Sequence, residues 1–122
     1  MKIGVTATGK NLNYSLDPKF GRSQYFVFVD PETMEFESFE NPGVSASGGA
    51  GIQAAQAIAD RKVDILITGN VGPKAFSVLS KANIKVVIGA SGTVEQAIDD
   101  FKSGLLDETD NPTVKTHNGI NR

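Results

Sequence analysis

The stretch Val63-Asp64-Ile65-Leu66-Ile67-Thr68-Gly69-Asn70-Val71-Gly72-Pro73 decides how this chain folds. Ile65-Leu66-Ile67 offers water no polar side, so a strand over Val63–Thr68 is expected to be buried on both faces. A glycine-bearing loop follows it. Pro73 then suits the first turn of a helix, where its fixed φ is helical and its missing N–H needs no partner. A doubly buried strand that runs into a helix is half of a βαβ unit, which implies parallel pairing and a right-handed crossover.

Working outward from this segment, the helix opened by Pro73 carries Phe76, Leu79 and Ala82 as its apolar stripe. Ile84–Ile88 reads as a further strand. Thr93-Val94-Glu95-Gln96 has the spacing of a capping box. It opens a helix with the stripe Val94, Ala97, Ile98 and Phe101, ended by Gly104 at the C-cap. Upstream, Gly49–Arg61 places Ile52, Ala55, Ile58 and Ala59 on one helical face. Before it the period changes to two. Ile3, Val5 and Ala7 alternate with Gly4, Thr6 and Thr8 in a strand over residues 2–8, and Tyr25–Val29 is aromatic and β-branched throughout. Asp30-Pro31-Glu32-Thr33 is a turn, followed by an acid-decorated strand over Met34–Glu40 that suits a sheet edge and discourages sheet-to-sheet pairing.

The order β-β-β-α-β-α-β-α predicts an α/β fold: a five-stranded mixed sheet in the order 3-2-1-4-5, strand 2 antiparallel, with helices on both faces. The ribonuclease-H-like architecture shares that order. One domain is expected over residues 1–105, with residues 106–122 as a polar, flexible C-terminal tail.

Composition narrows the function. The 122 residues are 39% hydrophobic and 21% charged with a formal net charge of −2, which fits a globular domain. No apolar run is long enough to span a bilayer and no signal-peptide pattern opens the chain, so a cytoplasmic location is expected. The acids and bases are interspersed, without the basic stripe of a nucleic-acid binder. With no cysteine, the chain offers neither a disulfide nor a thiolate ligand. The single histidine, His117, falls in the polar end segment and is expected to be inert.

In the predicted topology the carboxyl ends of strands 1, 3, 4 and 5 and the amino ends of all three helices lie on one edge of the sheet, where open α/β sheets hold ligands. The loops there are Thr8-Gly9 onward to Arg22, Ser45–Gly51, Gly69-Asn70-Val71-Gly72 and Gly89-Ala90-Ser91-Gly92-Thr93. Glycine permits close backbone approach, and helix amino ends favour negative charge, so an anionic ligand is expected. Arg22 suits a bidentate grip on that anion, with a loop brace as its alternative role.

Sharper chemistries fail. Gly49-Ala50-Gly51-Ile52-Gln53-Ala54 matches the dinucleotide fingerprint G-x-G-x-x-A, but it follows a long loop, and the next strand ends in Thr68-Gly69 without an acid for a ribose. There is no Walker loop, and the first strand has no carboxylate for a two-metal nuclease. A serine hydrolase lacks a placed histidine base. The expectation is therefore a non-enzymatic binding protein.

Phe20-Gly21-Arg22 after a long first loop, Asn41-Pro42 followed by Ser47-Gly48-Gly49-Ala50-Gly51, and Gly69-Asn70-Val71-Gly72-Pro73-Lys74-Ala75-Phe76 together resemble the dinitrogenase iron–molybdenum cofactor biosynthesis family. That family includes NifX-type carriers and the carboxy-terminal domain of some NifB-type proteins. The resemblance implies a ribonuclease-H-like fold. It also implies transient binding of an anionic iron–sulfur or iron–molybdenum cofactor or precursor on its way to an acceptor metalloenzyme. On this reading Lys19, Phe20, Gly21 and Arg22 face Ser47, Gly48, Gly49 and Gly51 across the site, and Asn70 with Ser91, Gly92 and Thr93 completes the ring. The family often carries histidine directly before its Phe-Gly-Arg, where this chain has Lys19. Without a cysteine or a core histidine, Lys19 and Arg22 are left to hold a cluster electrostatically, or to hold a different anion. Two other readings stay open: a module that docks on a larger metalloenzyme, and an enzyme acting on a phosphorylated metabolite.

Overall fold

Alternating side chains along doubly buried strands leave two apolar faces to cover, and the structure covers both. It is a computed structural model and describes residues 1–112, so His117 and the rest of residues 113–122 lie outside the described residues. The elements are β1 (Ile3–Ala7), β2 (Tyr25–Val29), β3 (Phe36–Glu40), a 3-10 turn (Pro42–Ser45), α1 (Ala50–Asp60), β4 (Ile65–Ile67), α2 (Pro73–Lys81), β5 (Lys85–Ile88), α3 (Val94–Lys102) and β6 (Asp107–Thr109).

The sheet order is β3-β2-β1-β4-β5-β6. β2 runs antiparallel to both β1 and β3, and β1, β4 and β5 are mutually parallel. Period-two alternation splits the core. Ile3, Val5, Ile65, Ile67 and Val87 face α3, which contributes Val94, Ala97 and Ile98. Phe26, Phe28, Leu66 and Val86 face α1 and α2, which contribute Ala54, Ala55, Ile58, Ala75 and Leu79. Each fully buried branched side chain here stabilises by about 1.5–3 kcal/mol.

The sheet has six strands, not the five expected. β6 pairs antiparallel with β5 through Val86↔Thr109, Val87↔Glu108 and Ile88↔Asp107, inside the segment expected to be a loose tail. Its residues are mostly exposed, so backbone pairing holds it without an apolar pattern.

Smaller corrections have local causes. The third strand starts at Phe36 rather than Met34, because Met34 takes a φ of 63° and donates its N–H to the Asp30 carbonyl at 2.7 Å to close the turn. The stripe of α1 is rotated: Ala54, Ala55 and Ile58 are buried, whereas Ile52, in the overhanging first turn, is exposed. In α2, Ala75 and Leu79 are the buried pair, while Phe76 is half-buried and Ala82, at the helix end, is exposed. α3 matches its expected stripe, with the Thr93 hydroxyl accepting from the Gln96 N–H at 3.0 Å and Gly104 at a φ of 75° beyond its end.

Candidate ligand-binding site

The long loop after β1 is pinned before it reaches the candidate residues. The buried Thr6 hydroxyl donates to the Asp17 carbonyl at 2.6 Å and bonds the Thr68 hydroxyl at 2.8 Å. The Asp17 N–H returns a bond to the Thr6 carbonyl at 2.9 Å. The Asp17 carboxylate then accepts from the Lys19 N–H at 3.0 Å, and the Pro18 carbonyl accepts from the Asn70 N–H at 3.0 Å. Gly69 has to be glycine for this contact, since a Cβ there would come within 2.7 Å of the Pro18 Cα.

Phe20 anchors the next step by burying its ring against Phe26, with centroids 5.9 Å apart. Gly21 then lies flush on the first turn of α1, where a Cβ would sit 3.1 Å from the backbone of Gly51. Asn41, almost fully buried, locks this arrangement. Its amide donates to the Gly21 carbonyl at 3.0 Å and the Ser23 carbonyl at 2.9 Å, and its Oδ1 accepts from the Gly43 N–H at 2.8 Å.

A cavity of about 590 Å³ opens between these parts. Its wall comprises residues 18–22, residues 49–52 at the start of α1, and Asn70 with residues 72–75 at the start of α2. Lys19, Arg22 and Lys74 all line it, and among the described residues no carboxylate does. Among the described residues, the ammonium groups of Lys19 and Lys74 have no hydrogen-bond, ion-pair or ring partner. Neither α1 nor α2 has a side-chain cap, and neither has an acid in its first turn. Their first N–H groups, unpaired within a helix, meet the same cavity and add partial positive charge. Pro18, Phe20, Ile52 and Pro73 give the wall apolar surface between the cations.

Arg22 divides its attention. Its Nη1 donates loosely to the carbonyls of Gly43, Val44 and Ala46 at 3.5, 3.4 and 3.3 Å, bracing the 3-10 turn against the cavity. Its Nε and Nη2 have no partner among the described residues.

Of the expected residues, Lys19, Phe20, Gly21, Arg22, Gly49, Gly51 and Asn70 are brought together in the wall. Ser47 and Gly48 are exposed beside it, between the braced Ala46 and the lining Gly49, and are not part of the wall. Ser91, Gly92 and Thr93 are elsewhere. The first loop is tied to this segment: Leu16 donates to the Gly92 carbonyl at 2.8 Å, while Val94 and Glu95 donate to the Tyr14 and Leu12 carbonyls at 2.9 and 3.0 Å. The N–H groups of α3 are thereby satisfied, so that helix end has nothing left for a ligand. Thr93→Ala is accordingly expected to lower unfolding stability by about 1 kcal/mol, the usual effect of losing a cap, without changing affinity for anything held in the cavity. Parallel thermal melts and binding titrations check both halves.

Two residues escaped the sequence reading of the site. Lys74 carried a visible signal, a cation in the first turn of a helix, where a negative charge is favoured. Asn41 carried less, since its partners at positions 21 and 23 are far away in sequence.

These features define a class: an open α/β sheet with a basic, glycine-lined cavity at the carboxyl ends of β1 and β4. The family described as dinitrogenase iron-molybdenum cofactor matches residues 1–104, and the chain belongs to it. Among similar structures is the apo form of the orange protein from Desulfovibrio gigas. It has 43% identity and a TM-score of 0.88, covering 93% of this chain and 96% of that one. A Thermotoga protein provisionally described as a NifB protein has 36% identity and a TM-score of 0.76, covering 88% and 91%. An uncharacterized protein of Methanocaldococcus jannaschii is 33% identical over 99 residues, covering 79% of this chain and 84% of its own length. No helix among the described residues is long and apolar enough to cross a membrane.

Proposed function

We propose that this protein is a non-catalytic carrier for an anionic metal–sulfur cluster of the iron–sulfur or iron–molybdenum type, held in the cavity between β1, α1 and α2. The observation that carries this reading is a cavity whose wall, among the described residues, holds three cationic side chains and no carboxylate. Family membership supports a role in iron–molybdenum cofactor biosynthesis or carriage. The orange protein is named for a colour and is known in an apo form, which supports a coloured group as the cargo of such a cavity. We also read the order β3-β2-β1-β4-β5 as a ribonuclease-H-like arrangement with β6 added at its edge.

The donor set constrains how cargo is held. The chain has no cysteine, and none of the described residues that line the cavity is a histidine, so among the described residues the wall supplies neither thiolate nor imidazole to a metal. A cluster bound here keeps its own complete ligand shell. Ammonium, guanidinium and backbone N–H groups then contact the outer sulfide or oxygen atoms, which suits loading and release without ligand exchange. Nor is there, among the described residues of the wall, a carboxylate or histidine to act as general base, which is why we assign carriage rather than turnover. An acceptor metalloenzyme is the partner this role requires.

The test is to mix the purified protein anaerobically with a soluble iron–sulfur or iron–molybdenum cofactor precursor and follow visible absorbance through a desalting column. Colour is expected to elute with the protein near one equivalent and to be displaced by high salt, as an electrostatic site requires. Colourless protein would exclude cluster carriage.

A further inference from the structure

We infer that Lys74 is a binding residue which destabilises the empty protein and is offset only by bound anion, so that the cavity exchanges fold stability for affinity. The inference rests on the anion-site reading above and assigns it a residue and a thermodynamic signature.

Lys74 stands directly after Pro73 in the first turn of α2, at the positive end of the helix dipole, where a cation is disfavoured. Nothing local relieves it: the first turn contains no acid, and Gly72 offers no side-chain cap. α3 shows the ordinary solution, with Thr93 as cap and Glu95 in its first turn. α2 itself follows the rule at its other end, where Lys81 occupies the last turn. The violation is thus confined to the end that meets the cavity.

The surroundings add to it. Lys74 shares the wall with Lys19, Arg22 and the uncapped start of α1, all positive, with no carboxylate in the lining. Like charges gathered around two helix amino ends repel one another until an anion enters. A residue that breaks a local rule without a compensating contact marks a place where function has overridden stability. Here the compensating contact is the cargo. A carrier gains from this arrangement, because occupied and empty forms then differ in stability.

The experiment compares wild type with Lys74→Gln, Lys74→Glu and Lys19→Gln. Lys81→Gln controls for charge loss from the same helix. Melting temperatures are measured at low ionic strength, with and without tripolyphosphate as a polyanion probe. Both Lys74 variants are expected to melt about 2 °C above wild type without probe, the Glu variant higher than the Gln. Both should lose most of the probe-induced rise and bind tripolyphosphate about tenfold or more weakly. Lys81→Gln should melt no higher than wild type and keep the full response.

Lys74 variants that melt lower than wild type without probe would overturn the inference, since the lysine would then be a structural support. So would a wild-type response to tripolyphosphate in the Lys74 variants alongside its loss in Lys19→Gln; the anion site would stand in that case without Lys74. A wild type that tripolyphosphate fails to stabilise at all would overturn both this inference and the anion-site reading beneath it.

Discussion

Replacing Asn41 with alanine is expected to have the largest effect of any single substitution around the site: a loss of about 3–5 kcal/mol of stability. The side chain is almost fully buried and satisfies three backbone groups at 2.8–3.0 Å, the carbonyls of Gly21 and Ser23 and the N–H of Gly43. Truncation leaves all three without their partner in a space too tight for easy repair. Gly43 shows how tight: a Cβ on it would collide with the Gly21 carbonyl oxygen. Leaving a buried polar group unsatisfied costs about 1–3 kcal/mol each, and partial hydration of the exposed side of the turn reduces the sum. For a chain of this length that is a fall of roughly 10–20 °C in melting temperature. Asn41→Asp separates the contributions. It keeps the acceptor for the Gly43 N–H but turns two donated bonds into carboxylate facing carbonyl, and is expected to be no more stable than the alanine variant. Melts of the two proteins decide the matter; a loss below about 1 kcal/mol in Asn41→Ala would show that the lock is not needed.

Asn41 also shows where a sequence stops being readable. Asn-Pro is a dipeptide that favours a turn, and it says no more than that. That the amide reaches back across the chain to residues 21 and 23 depends on the register in which β2 and β3 pair, with Tyr25 opposite Glu40, which no local pattern reports. The strands and helices themselves were legible because hydrophobic periodicity is local: Ile65-Leu66-Ile67 does divide between the two faces of the sheet, and Val94, Ala97 and Ile98 do face the core. β6 was not legible because Asp107-Glu108-Thr109 buries almost nothing and pairs through its backbone alone. For the site, topology fixed the edge but not the face. Ser91-Gly92-Thr93 lies on the expected edge, yet α3 packs on the opposite side of the sheet from α1 and α2, and the loop around Leu12–Leu16 takes up the first N–H groups of α3. Four converging loops thus reduce to the three that surround α1 and α2.

Arg22→Ala is the second large effect, and the structure changes what it should look like. A residue that only gripped an anion, the first of the two roles expected for Arg22, would lose binding at little expense in stability. With Nη1 shared among the carbonyls of Gly43, Val44 and Ala46, removal should also cost about 1 kcal/mol and loosen residues 43–49. The bonds are long, at 3.3–3.5 Å, so each is weak, and an anion in the cavity competes for the same guanidinium on better terms, because charge-assisted bonds are about twice as strong. Affinity for a polyanion is therefore expected to fall about tenfold to a hundredfold in Arg22→Ala. Arg22→Lys distinguishes the two roles. It keeps one positive charge in the wall but has no planar fork to bridge the turn and the ligand together. Its affinity should lie between wild type and alanine, while hydrogen exchange at residues 43–49 should be as fast as in the alanine variant. If lysine restored slow exchange as well as affinity, Arg22 would be acting as a charge alone, and the brace seen in its contacts would carry no energy. If alanine kept wild-type affinity, the burden of holding cargo would shift to Lys19 and Lys74, whose ammonium groups have no partner among the described residues.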